Sequence, residues 1–342
     1  MVIDTKFSKI GKDQPCFIIA EIGSNHNGDF NIACELIQKA KEAGVNAVKF
    51  QTFKAKNHYS KYTPKVDLYD QDIYTLIKSL EIDRSWHTKL SDYCENINID
   101  FLDSPCDNDA VDLALSVNMP LLKVASFDMI DLKLVEKIAS TGKGIILSTG
   151  MSNLSEIQDA INICRLKRNE KIIVLQCTSL YPAPSNLANL KVMNTLSQAF
   201  NVIIGYSDHT MGDHIACAAV ARGAKVIEKH YTLNRGMTGP DHAFAIEPIE
   251  LTNMVYKIRE IESAIGDGEK NGPRDEELEM FKLCRRSIVA NRNLVKGSII
   301  TSHDICIKRP SLGIHPRFHN IILGRKVVKD IYIDEPITWE DI

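Results

Sequence analysis

The sequence predicts a (β/α)8 barrel followed by a small β-rich domain, and three observations carry that reading. Eight short apolar runs alternate with amphipathic helical stretches over roughly 250 residues, the arithmetic of a (β/α)8 barrel. Nearly every run closes on charged or hydroxyl residues, at the strand end where such barrels keep their chemistry. The main competitor, a doubly wound sheet, needs a glycine-rich phosphate turn after an early strand; the chain has no G-x-G-x-x-G and no G-K-[ST].

The expected strands, in order, are 17–22, 47–51, 101–104, 121–125, 145–148, 172–176, 202–206 and 226–230. The first helix shows its signals clearly. Asp29 is placed to N-cap it, Ile32, Leu36 and Ala40 recur every four residues, and Gly44 stops it. Further helices are expected at 132–140, 153–165, 213–222 and 250–264. The barrel then spans 1–265. The run GDGEKNGPRDEEL from Gly266 is charged and rich in Gly and Pro, so 266–282 reads as a linker. From 283 to 342, short β-like runs at 288–290, 299–300, 305–307, 327–328 and 331–333 make a module too small to be comfortable without a neighbour.

Composition narrows the function classes. The chain has 342 residues, is 44% apolar and 25% charged, and carries a net charge of −3. Such a balance offers no field for nucleic acid or an anionic membrane, so an anionic substrate has to be captured by local positive charge. No apolar run approaches the ~20 residues of a membrane helix. The polar stretch 1–15 lacks the apolar segment of a signal peptide, and a cytoplasmic location is expected. Nine cysteines, an odd number with no C-x-x-C pair, read as free thiols.

The strand ends carry the candidate chemistry. They are Glu21, then Lys49 and Gln51, Ser104, Lys123 with Ser126 and Asp128, Ser148, Tyr181 after strand six, Ser207 with His209, and Glu228-Lys229-His230. Two lysines and several hydroxyls on neighbouring strands suit a phosphate or carboxylate. His209 and His230 end adjacent strands and lack thiolate partners, which suits a catalytic divalent ion of the Mn2+ type. Taken alone, Glu228 and Lys229 read equally well as a solvated rim pair. A lysine such as Lys49 or Lys123 acting as a Schiff base in an aldolase-type barrel is the alternative chemistry.

The segments AEIGSNHNGDF (20–30), VKFQTF (48–53), KVASFD (123–128), LSTGM (147–151), GYSDHT (205–210), IEKHYTL (227–233) and GPDHAF (239–244) resemble the sialic acid synthase family. In that family a TIM barrel precedes a β-clip, antifreeze-like SAF domain, here similar in RRSIVA (285–290), KRPSLGIHP (308–316) and LGRKV (323–327). The resemblance spans nearly the whole chain. It implies a synthase that condenses phosphoenolpyruvate with an N-acetylmannosamine-type amino sugar, giving N-acetylneuraminate or a close relative. It implies a divalent metal on His209 and His230, Mn2+ first, with Mg2+ or Co2+ possible. It implies phosphoenolpyruvate on Lys49, Ser104, Lys123, Ser126, Ser148 and Ser207, and sugar near Glu21, Gln51, Asp128, Tyr181 and Asp241. It also implies a domain-swapped homodimer in which Arg309 reaches the partner's site. Ser126-Phe127-Asp128 and GIHPRF are similar to the pseudaminic-acid and spore-coat branches, GPDHAF to the sialic and legionaminic ones.

Overall fold

Near the N-terminus, residues 2–11 fold into a hairpin too short for apolar periodicity to reveal. In the computed structural model, which describes residues 1–63 and 72–342, strands β1 (Val2–Asp4) and β2 (Lys9–Gly11) pair antiparallel. Ile3 and Ile10 alternate onto one face and join the buried apolar layer inside the barrel, so the hairpin closes the barrel floor. Asp100 holds it there, accepting from Thr5 Oγ1 at 2.6 Å and from the Lys6 amide at 2.9 Å. Gly144 makes room: a Cβ there would lie 2.3 Å from Leu121 and 3.2 Å from Ile3.

Eight parallel strands close the barrel in sequence order: β3 (Phe17–Gly23), β4 (Ala47–Thr52), β5 (Asp100–Pro105), β6 (Leu121–Val124), β7 (Gly144–Ser148), β8 (Ile172–Cys177), β9 (Ile203–Asp208) and β10 (Val226–His230), with β10 back against β3. Each lies within two residues of its expected place. The helix Phe30–Glu42 starts as expected, with the Asp29 carboxylate accepting from the Asn31 and Ile32 amides. Its buried stripe is Ala33, Leu36, Ile37 and Ala40 rather than the expected four-residue repeat from Ile32, which is only half-buried. A 3.6-residue turn makes i, i+3, i+4, i+7 the inward set. Later helices run Leu132–Ala139, Leu154–Leu166, His214–Ala221 and Pro248–Ile265.

The chain divides into two compact units, 1–266 and 267–342. In the second, the stretch read as a linker includes a short helix, Leu278–Cys284. Strands β11 (Ser287–Ala290) and β12 (Ile305–Lys308) pair antiparallel. The other expected runs appear as single bridges, Ile299 with Lys326 and Leu294 with Ile331. Ile288, Leu294, Ile300, Ile314, Val327 and Ile337 form this unit's own small core. All nine cysteines are free. No helix among the described residues is long and apolar enough to cross a membrane.

Candidate active site

Strand periodicity places the site. Inside the barrel an apolar layer is built from Ile19, Ala47, Leu102, Leu121, Ile146, Leu175, Ile203 and Val226. Successive inward positions on a strand are two residues apart. Two residues further on are Glu21, Lys49, Ser104, Lys123, Ser148, Cys177 and Glu228, and on β9 Ser207 follows Ile203 and Gly205. On every strand, then, the layer next to the barrel mouth is polar or carries a thiol. These side chains line a cavity of about 570 Å3.

Two lysines and two carboxylates form its floor. Lys49 Nζ lies 2.7 Å from Glu21 Oε2 and 3.9 Å from Glu228 Oε1, and Lys123 Nζ lies 3.5 Å from the same Glu228 oxygen. Gln51 donates to Glu21 Oε1 at 2.6 Å. Burial and the nearby Glu228 push the Glu21 carboxyl up to about 7, with Lys49 pulling the other way. Burial likewise opposes ionisation of Glu228, but Lys123 and Lys49 prevail and hold its carboxyl below the usual range. Lys49 stays charged: burial works against its ammonium, and Glu21 and Glu228 outweigh it. Buried ions of this kind persist only when paired and hydrogen-bonded.

The hydroxyls surround this floor. Ser207 donates to Glu228 at 3.3 Å and Ser104 to the Lys123 carbonyl oxygen at 3.4 Å. Ser126 accepts the Gly150 amide at 3.0 Å. A Cβ on Gly150 would collide with Ser179 Oγ at 2.2 Å, so glycine is needed for that approach. Ser148 Oγ and Glu228 Oε2 are buried with no hydrogen-bond partner. Unsatisfied buried polar atoms are uncommon and point to a ligand or water.

The two histidines meet above β9 and β10. Their ring centroids are 5.3 Å apart. His209 Nδ1 is bonded to the Thr178 carbonyl oxygen at 2.8 Å, which leaves Nε2 free, the outer-shell bond that fixes a metal-ligand tautomer. His230 Nδ1 is buried without a hydrogen bond, 3.6 Å from Asp241 Oδ2. An imidazole pair beside a carboxylate fits a divalent cation. The loop carrying Asp241 is pinned by His242, which bridges Thr232 Oγ1 at 2.6 Å and Asn27 Oδ1 at 3.1 Å. Burial pushes the Asp241 carboxyl up to about 6 against the pull of His209 and Lys49. The Tyr181 ring lies tilted against His209 with centroids 4.2 Å apart, and the Phe244 and His230 ring centroids are 5.1 Å apart. Cys177 Sγ lies 3.8 Å from His209 Nδ1.

The structure gathers every residue of the first unit expected to bind metal or substrate around this cavity, Asp128 and Tyr181 included, but not Lys229; Arg309 lies in the second unit. The notion of a solvated Glu228–Lys229 rim pair is corrected. Both side chains are buried and, being successive on a strand, point to opposite faces. Lys229 instead bonds Asp208 at 2.7 Å and the Thr210 carbonyl oxygen at 2.5 Å. Glu228 was legible as a site residue from its place two positions before His230. Also unforeseen are Cys177, His58, Cys106 and the helix Ile73–Ser79, whose Ile73, Leu76 and Ile77 give one side of the cavity an apolar wall. Of the lysines that follow β4, Lys54 pairs with Glu81 at 2.6 Å, and Lys56 and Lys61 are exposed. Lys65 lies outside the described residues.

Comparison with known proteins agrees with this geometry. The NeuB family model matches residues 36–270 and the SAF domain model residues 285–342. An N,N'-diacetyllegionaminic acid synthase of Campylobacter jejuni is 42% identical over 328 residues, covering 94% of this chain and 98% of that protein. One of Legionella pneumophila is 38% identical over 342 residues, covering 97% and 96%. Among solved structures, the N-acetylneuraminic acid (sialic acid) synthetase of Leptospira borgpetersenii is 35% identical with a TM-score of 0.75, covering 82% of this chain and 95% of that one. With its closed eight-stranded barrel, its polar mouth and its C-terminal SAF domain, the chain belongs to the NeuB family and is an enzyme of the sialic acid synthase type.

Proposed function

We propose that the chain condenses phosphoenolpyruvate with an unphosphorylated amino hexose carrying two acetamido groups, releasing phosphate and a legionaminate-type nine-carbon acid. The observation that carries this reading is the floor of Lys49 and Lys123 beside an unpartnered Ser148, next to a buried imidazole pair. Lys49 and Lys123, with Ser104, Ser126, Ser148 and Ser207, hold the phosphate and carboxylate of phosphoenolpyruvate, so their work is orientation and charge. Gln51, Asp128, Tyr181 and Asp241 hold the sugar. C3 of phosphoenolpyruvate bonds to the aldehyde carbon, water adds at C2, and phosphate leaves with its bridging oxygen. Glu21, near neutrality in its ionisation, moves the proton at this centre. His209 and His230 would hold a divalent ion, Mn2+ first and Mg2+ or Co2+ otherwise, which would supply Lewis-acid polarisation of the aldehyde oxygen.

The sugar assignment differs from the N-acetylneuraminate reading of the sequence. A nine-carbon acid with two acetyl groups requires a hexose with two acetamido groups, and the wall of Ile73, Leu76 and Ile77 suits the methyl of the second one. Among the described residues, the lysines and arginines lining the cavity are Lys49 and Lys123, both assigned to phosphoenolpyruvate, which supports an unphosphorylated acceptor. The working form is proposed to be a homodimer in which the partner's Arg309 completes each site. Exposed apolar side chains on the loops after β6 to β9 support this: Phe127, Ile130, Met151, Leu180 and Met211. Mass spectrometry of products from phosphoenolpyruvate and a panel of mannosamine- and altrose-type sugars, with one or two acetamido groups, tests the function. A nine-carbon product from the diacetamido sugar is expected. Faster turnover of N-acetylmannosamine or of a sugar phosphate overturns the acceptor assignment.

A further inference from the structure

Across the mouth from His209 and His230, three side chains of different chemistry converge. His58 ends the short helix Ala55–His58 after β4, Cys106 directly follows β5, and Asp128 lies in the turn after β6. One oxygen of Asp128 is 3.7 Å from His58 Nδ1 and the other is 3.6 Å from Cys106 Sγ. One donor atom from each of the three lies within 4.8 Å of the other two, and all three line the cavity. Tetrahedral zinc, with bonds of ~2.0–2.1 Å to nitrogen and oxygen and ~2.3 Å to sulfur, sets neighbouring donors roughly 3.3–3.6 Å apart. The three donor atoms, within 4.8 Å of one another, are somewhat wider apart than that, and Asp128 offers one oxygen towards His58 and the other towards Cys106, so a contraction of about 1 Å and a turn of the carboxylate bring one oxygen and the other two donors onto a single ion.

We propose that His58, Cys106 and Asp128 form a second metal site, distinct from the histidine pair, that takes zinc-type ions and keeps its fourth position open to the cavity. The donors argue the selectivity. A thiolate favours Zn2+ or Co2+ over Mn2+ and Mg2+, which prefer oxygen and imidazole. Three protein ligands and an open position allow water or a competing ligand to complete the ion. Burial, with Asp128 and Asp103 adding, holds the Cys106 thiol well above its ordinary range. Binding therefore releases the thiol proton to solvent, and affinity falls as pH drops. On the reading of Asp128 as a sugar contact, an ion here blocks the acceptor, so zinc inhibits by competing with the sugar.

Cobalt(II) added to the metal-free full chain tests the site without either substrate, so its failure is separable from failure of the proposed function. The expected spectrum has a thiolate-to-cobalt charge-transfer band in the near ultraviolet and d–d bands of tetrahedral intensity. Cys106→Ser should abolish the charge-transfer band and lower the bound cobalt by one ion per chain. Cys177→Ser and His209→Ala should leave the band in place. His58→Gln, which keeps the thiol, should weaken cobalt affinity at least about tenfold; it decides the matter if Cys106→Ser does not fold. A wild-type spectrum without the band overturns the proposal, as does a band that survives Cys106→Ser or disappears in Cys177→Ser. In those cases the cluster is a thiol–carboxylate hydrogen bond only.

Discussion

Lys49 Nζ lies 2.7 Å from Glu21 Oε2, and both side chains are almost wholly buried, at 2% and 1% exposure. The pair sits on adjacent parallel strands in direct register. Glu21→Gln keeps the shape and the bond to Gln51 but removes the proton site. Loss of a general acid–base group costs about two to four decades in kcat, and that range is expected, together with loss of a pH-rate limb near neutrality. Stability gives a second readout with its own sign. Burial raises the folded carboxyl from 4.5 to about 7, so between those values the folded state binds more protons than the unfolded one. Stability contributed by this group therefore falls as pH rises through that window, and the slope should flatten in the Gln variant. An unchanged pH-rate profile removes Glu21 from proton transfer.

Lys49→Met and Lys123→Met should weaken phosphoenolpyruvate far more than the sugar. A lost charge-assisted hydrogen bond costs ~1.5–3 kcal/mol, or about one to two decades in kcat/KM. Calorimetric titration of each variant with phosphoenolpyruvate alone separates binding from turnover. Equal losses toward both substrates contradict the phosphate assignment.

Chelation by EDTA should abolish turnover and Mn2+ should restore it in the wild type but not in His209→Ala. The fold should survive, since His209 sits above the apolar barrel layer rather than in it. Full activity of the metal-stripped His209→Ala variant rules the metal role out.

Leu76→Asn or Ile77→Asn should lower the preference for a diacetamido sugar over N-acetylmannosamine. One methyl's worth of apolar contact is worth ~1–3 kcal/mol, so a shift of roughly tenfold or more in the ratio of kcat/KM values is expected. A ratio that does not move shows that this wall does not read the second acetamido group.

Arg309→Ala and His209→Ala should each be nearly inactive, and mixing them should recover activity once subunits exchange. A heterodimer has one intact site when the intact barrel and the intact Arg309 come from different chains. A mixture that stays inactive after exchange is confirmed by mass-tagged subunits removes Arg309 from the partner's site.

The sequence by itself determined the barrel and most of its mouth. Apolar runs that each end in a polar residue record two constraints directly, a packed interior and a solvent-facing reactive end. The alternation of a strand then makes Glu21, Lys49, Lys123 and Ser148 inward residues once the apolar layer below them is known. The hairpin Val2–Gly11 was illegible because each strand has only three residues, and its burial depends on the barrel floor it covers. Tertiary structure alone decided that Glu228 is shared between Lys49 and Lys123 and that Lys229 pairs with Asp208, since cross-strand partners follow from register against neighbouring strands. It also decided that His58, Cys106 and Asp128 meet. They lie on three separate connections, up to seventy positions apart in the chain, and only the closure of successive strands at their hydrogen-bonding spacing brings those connections to one point.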